Sequence, residues 1–133
     1  MTWLYKGVPF TEPDIKEMGF VYLITNNVTG RKYIGKKLFW FSKSKTVKGK
    51  KKRIKVPSDW QEYWSSSDEV QKDVIAIGKD KFTREILHIC TNKGSCNYLE
   101  AREQMDRRVL ETEDYYNGQI QCRVHKTHLR LEK

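Results

Sequence analysis

A chain of 133 residues can bury one core without disulfides or metal and is short for two ordinary domains. It has no apolar run of about 18 residues and no basic-then-apolar leader, so neither a membrane span nor a signal peptide is expected, and three cysteines without an export signal point to reduced thiols in the cytoplasm. The formal charge is +9, yet residues 31–55 hold twelve Lys or Arg and no acid, leaving 14 basic and 17 acidic groups elsewhere. A field that local draws polyanions, nucleic acid first.

Residues 1–18 lack a strong period and are interrupted by Pro9 and Pro13. They predict an N-terminal arm with one helical turn over 13–18. Residues 19–25 alternate Phe20, Tyr22 and Ile24 with Val21 and Leu23, and predict a central strand apolar on both sides. Residues 31–37 are its partner in a hairpin, with Gly30 supplying the positive φ that the loop needs.

Residues 38–56 begin Leu-Phe-Trp-Phe and become strongly basic. Such a run reads as a solvated loop that orders on a ligand. Ser58 and Gln61 have capping-box spacing, predicting a short helix over 59–65 that carries Trp60, Tyr63 and Trp64. Ser66 and Glu69 repeat the spacing before a helix over 67–77, stopped by Gly78. Residues 81–90 predict a third strand, and 97–111 a last helix. Tyr115 to Gly118 reads as a turn, and 119–133 as a basic tail. The order β, β, basic insert, α, α, β, α gives an α+β fold, a small sheet with helices around it. The expected organisation is an arm (1–18), a domain (19–118) with the insert at 38–56, and the tail.

Phe20-Val21-Tyr22, followed after ten residues by Tyr33-Ile34-Gly35, resembles the paired motif of the GIY-YIG nuclease family. WQEYWSSS (60–67), the helix ending at Gly78, Phe82 with Arg84, the run Asn97-Tyr98-Leu99-Glu100 and Tyr116-Asn117 resemble its phage-encoded, homing-endonuclease-like members. The resemblance implies a three-stranded antiparallel sheet flanked by helices. It implies DNA phosphodiester cleavage with one divalent metal, Mg²⁺ or Mn²⁺. It makes Tyr22 and Tyr33 the site tyrosines and a late-helix glutamate the metal ligand, Glu100 or, one turn on, Glu103. Gly35 and Asn117 would support the site.

The chemistry agrees with those residue types. Hydrolysis needs a deprotonated water, a Lewis acid and a counter-charge for the transition state. A carboxylate is a hard ligand for Mg²⁺. A phenol, ordinarily of pKa about 10, acts as a base only if nearby cations lower that value, which the lysines would do. Two departures stand out. Phe20 replaces the first motif's glycine, and no arginine lies between Phe41 and Lys50, where the family places one on a helix. Its role would pass to Lys37, or to Lys36, Lys43, Arg53 or Arg84. The expected nucleic-acid contacts are Lys36, Lys43, Lys45, Lys48, Lys50, Lys51, Lys52, Arg53, Lys55 and Arg84. The protein is expected as a monomer or weak homodimer.

Blander readings exist for each feature. Asn97 and Glu100 also have capping-box spacing, which would employ Glu100 at a helix end. The aromatics at 39–41 and 60–64 suit core packing or base stacking. His88 reads as a packed histidine. Cys90, Cys96, Cys122, His125 and His128 allow a structural zinc site. A nuclease fold that only holds nucleic acid is the main rival function.

Overall fold

The computed structural model describes residues 2–131. Strands β1 (Leu4–Tyr5), β2 (Val8–Pro9), β3 (Gly19–Asn26), β4 (Lys32–Leu38), β5 (Trp40–Val47) and β6 (Lys50–Pro57) precede helix α1 (Asp68–Ile77), strand β7 (Phe82–Cys90) and helix α2 (Lys93–Asp106). The fold is α+β. Its centre is the expected antiparallel trio, with β3 between β7 and β4.

The sheet is larger than the trio. The order is β2-β1-β7-β3-β4, with β1 parallel to β7. The N-terminal arm therefore forms one margin of the sheet. It also contributes Trp3, 1% exposed, whose indole Nε1 donates to the Trp60 carbonyl at 2.8 Å.

β3 is buried on both sides because each sheet face is covered. One face carries an aromatic core of Trp3, Phe20, Tyr22, Phe39, Trp60 and Phe82, closed by Val70 and Val74 of α1. The other packs Val21, Leu23 and Ile34 against Cys96 and Leu99 of α2. A bulge in β7 leaves Leu87 without a partner, since Val21 pairs with His88 and Tyr22 with Ile86. The extra residue sits beside Tyr22, where it tightens the local twist.

Several expected boundaries move. Residues 38–56 are not a loop: β5 and β6 form an antiparallel ribbon from Trp40↔Pro57 to Val47↔Lys50. Lys48 and Gly49 at its tip have φ of 51° and 75°, the two positive values of a type I′ hairpin turn. The helix expected over 59–65 shrinks to a 3₁₀ turn at Trp60–Glu62. Its carbonyls are claimed by other partners: Trp3 takes that of Trp60, while Arg84 Nη1 takes those of Gln61 and Tyr63. α1 is capped by Ser67 rather than Ser66, through a hydrogen bond from Val70 N to Ser67 Oγ. α2 begins at Lys93 with Asn92 as its cap, so Asn97 and Glu100 lie inside the helix. Of the expected tail, residues 132 and 133 lie outside the described residues.

Candidate active site at the Gly35 edge

Strand alternation puts Tyr33, Gly35 and Lys37 of β4 on one face, opposite Ile24, Tyr22 and Phe20 of β3. Tyr22 pairs with Gly35, and its ring lies flat across that residue. A Cβ at Gly35 would fall inside contact distance of the Tyr22 hydroxyl, 2.5 Å from Tyr22 Cζ and 2.9 Å from Tyr33 Cε2. Only glycine leaves room for both rings, whose centroids are 6.2 Å apart.

The two phenols differ in burial. Tyr22 is 1% exposed, and Tyr63 packs edge-on against it at 6.0 Å. Burial, then the neighbouring Tyr63 and Tyr33, push its pKa well above the ordinary value. Tyr33 is half-buried, and its hydroxyl meets Ser66 Oγ at 3.4 Å. Burial raises its pKa too; the Ser66 hydrogen bond opposes this, and the Glu100 charge adds to it. The expected lowering by lysines does not occur: burial dominates at both rings, Lys36 and Lys37 pair with Glu100 and Asp59, and the other lysines of the insert lie on the exposed ribbon. Both phenols are protonated at neutral pH.

α2 sends two glutamates toward the opposite face, and the structure separates them. Glu100 reaches the β4 edge, with Lys36 Nζ 3.5 Å from its Oε1. Lys36 also donates to Asn97 Oδ1. Burial raises the Glu100 pKa, with Lys36 pulling the other way. Its charge is felt at both Tyr22 and Tyr33. Glu103 points instead to β7, with His88 Nε2 at 3.7 Å and Arg107 Nε at 3.6 Å. His88 thus faces Glu103 from the strand, in keeping with a packed histidine.

Asn117 forms the border of this edge. Its Oδ1 accepts from Ile34 N at 3.0 Å and its Nδ2 donates to Ile34 O at 2.8 Å. The side chain takes the place of a neighbouring strand. Gln104 Nε2 adds a bond to Ile34 O at 3.2 Å. Tyr116 fixes the other side of the pair. It accepts from Asn26 Nδ2 at 3.0 Å and donates to Asp73 Oδ2 at 2.6 Å. Past Asn117 a groove opens beside Lys36 and Asn97, lined also by Ile120, Cys122 and Arg123.

The cations fall into three groups. Lys37 is on the tyrosine face, but Asp59 Oδ1 holds its Nζ at 2.6 Å, over the Tyr63 ring at 4.2 Å. Lys43, Lys45, Lys48, Lys50, Lys51, Lys52, Arg53 and Lys55 are exposed along the ribbon. Arg84 cannot be a nucleic-acid contact as expected. It is 4% exposed, sandwiched between Trp3 and Trp64, and desolvation lowers its pKa to about 10. Its work is to hold the 60–64 strap over Tyr22.

Of the aromatics, Phe39 and Trp60 are core residues, while Phe41 is 45% exposed. The zinc candidates do not gather. Cys90 and Cys96 are buried between sheet and α2, whereas Cys122 is exposed near Asn97 O. Among the described residues no group of three or more His, Cys, Asp or Glu is placed to hold a metal.

Sequence reasoning missed Tyr63, Ser66, Asn97 and Gln104. Tyr63 lies in a stretch whose spacing predicts a helix, and Ser66 at a position that predicts a cap. Asn97 was read as a cap. No local pattern marks Gln104, whose partner is 70 residues away.

No curated protein and no solved structure gives a significant match to the chain. A protein-family model described as "Putative endonuclease segE, GIY-YIG domain" matches residues 3–120. That span includes both tyrosines, Gly35, Glu100 and Asn117, and it covers most of the sequence; this chain belongs to the GIY-YIG endonuclease domain family.

Proposed function

We propose that the chain is a metal-dependent DNA endonuclease in which Tyr22, Tyr33, Glu100 and Lys37 carry the reaction. One observation supports this most directly. Two phenols meet over Gly35, and a half-buried helix carboxylate lies near enough for both to feel its charge.

The residues present suit a divalent ion. Glu100 is a hard oxygen donor with no capping duty, since α2 is capped by Asn92. A single carboxylate fits Mg²⁺ or Mn²⁺, ions that keep several waters and accept phosphate oxygens. Bound there, the ion would supply Lewis-acid polarisation of the phosphoryl group.

The chain's own groups do the remainder. Tyr33, the more accessible phenol, aligns the attacking water and, once ionised to phenolate, takes its proton. Glu100 is one cause of the raised Tyr33 pKa, so neutralising its charge would lower that pKa and enlarge the fraction of Tyr33 present as phenolate. Tyr22, buried beneath, fixes the Tyr33 ring. Lys37 offsets charge on the phosphate, with Asp59 positioning its ammonium. Asn117 and Gly35 keep the β4 edge straight.

The test is cleavage of supercoiled plasmid with Mg²⁺ or Mn²⁺. Wild type should nick it, and the rate should climb with pH toward the Tyr33 pKa. Glu100→Ala and Tyr33→Phe should each cost about 100-fold or more. A wild type that never nicks, or a Glu100→Ala that cuts normally, would end this reading. A DNA-holding protein without chemistry is favoured by the closed Lys37–Asp59 pair. Steeply salt-dependent binding with no cleavage under any divalent ion would identify it.

A further inference from the structure

Beyond Trp40 at its base, the core makes no use of the ribbon. No residue from Phe41 to Val56 enters either core cluster, and an isolated hairpin is marginal by itself. Yet the ribbon is regular over eight residues per strand, with a matched turn. Its residues 40–57 hold eight Lys or Arg and no acid.

The two faces of the ribbon differ. The pairing register puts Phe41, Val47, Ile54 and Val56 on one face with Lys43, Lys45, Lys50 and Lys52. Ser42, Ser44 and Thr46 share the other with Lys51, Arg53 and Lys55. The first face continues the tyrosine face. The alternation Tyr33, Gly35, Lys37 runs on through Phe39 to Phe41, and Lys37 Nζ lies 5.1 Å from the Phe41 centroid. The second face turns toward the N-terminal arm, where Lys55 Nζ donates to Ile15 O at 3.4 Å. The first face also leaves three of its apolar residues in water: Phe41 is 45%, Val47 36% and Ile54 37% exposed.

We propose that the ribbon seats in the major groove of duplex DNA with its tyrosine-side face against the base edges. Where the DNA is then cut rests on the nuclease reading above; the binding itself does not. The size fits. Two paired strands pass into a groove about 12 Å wide. Residues two apart on one strand are about 6.8 Å apart, two base-pair steps. The chemistry fits as well. Lys43, Lys45 and Lys52 reach the phosphates on either wall. Ile54 and Val47 meet thymine methyls, the apolar feature that only the major groove displays. A duplex held this way continues onto the strand that bears Tyr33.

Binding to a short duplex is measured by fluorescence anisotropy without divalent metal, using charge-matched variants. Lys45→Ser with Lys52→Ser removes a cross-strand pair from the proposed face; Lys51→Ser with Arg53→Ser removes two cations from the other. The first pair should weaken binding about tenfold and reduce the salt slope by about two. The second should cost less than roughly threefold. Replacing thymine by uracil should weaken wild type and leave the double variant Val47→Ser with Ile54→Ser unaffected. Equal losses from the two pairs, or indifference of wild type to uracil, would overturn the proposal. Because no metal is present, a protein that cannot cleave still tests it. Conversely, cleavage with equal losses from both pairs removes the ribbon's role and leaves the nuclease reading intact.

Discussion

Gly35 does by omission what no side chain could do at its position. The Tyr22 ring occupies the volume that a Cβ would need. Gly35→Ala must therefore displace Tyr22 into Trp3 and Tyr63, or push β4 away from β3. Overpacking of this kind costs about 1–3 kcal/mol, read as a lower urea midpoint, and it should abolish cleavage even where the variant remains folded. An alanine variant with normal stability would mean that the ring moves freely. Tyr22 makes a second claim, on pH. Its folded-state pKa is raised, chiefly by burial, so the unfolded chain gives up this proton first. Stability is complete below pH of about 10 and then falls, by up to about 1.4 kcal/mol per pH unit, until the folded state also ionises. Tyr33 and Tyr116, also raised, add to the decline. Urea unfolding between pH 9 and 11 should show a shallower decline in Tyr22→Phe. An unchanged slope would mean that Tyr22 does not stay protonated.

At the scale of elements, the legible parts were those with a local cause. Period-two alternation marks β3, β4 and β7, and Gly30, with φ of 80°, closes the hairpin as read. The buried pair Val70 and Val74 of α1 and its Gly78 stop follow from helical spacing, while Ile75, apolar in the same run, is 85% exposed. What stayed hidden depends on distant partners. The strap at 60–66 has a helical sequence, but Trp3 and Arg84 draw off its carbonyls, and neither can be foreseen from the strap itself. The ribbon was concealed by composition. Its lysines sit on both faces, so the alternation of Ser42, Ser44 and Thr46 with Lys43 and Lys45 does not register as amphipathic. Lys48-Gly49 was the available signal, a dipeptide able to make a two-residue turn. In α2 the cap competition between Asn92 and Asn97 decided the meaning of Glu100. With Asn92 at the end, Glu100 lies on the same stripe as Cys96 and Leu99, the buried contacts to the sheet, and is placed for the β4 edge.

At the scale of the molecule, charge and core occupy separate regions. Both hydrophobic clusters lie in and around the sheet, and the strongest positive field lies on the ribbon outside them. Folding and DNA affinity should therefore be separable by one excision. Replacing residues 42–55 with an Asn-Gly turn removes eight cations and no acid, leaving 18 basic against 17 acidic groups. The net charge falls from +9 to +1 while every core residue is kept. The shortened chain should keep its circular dichroism spectrum and melt within a few degrees of wild type. Its duplex affinity should collapse, and with it most of the salt dependence, since few counterions remain to be released. Hydrolysis of a small phosphodiester, which needs no groove to grip, should continue at the wild-type rate per site. Loss of folding would show that the ribbon supports the sheet. Undiminished, salt-dependent DNA binding would place the grip elsewhere, at Lys36 and Arg123 along the groove beside α2.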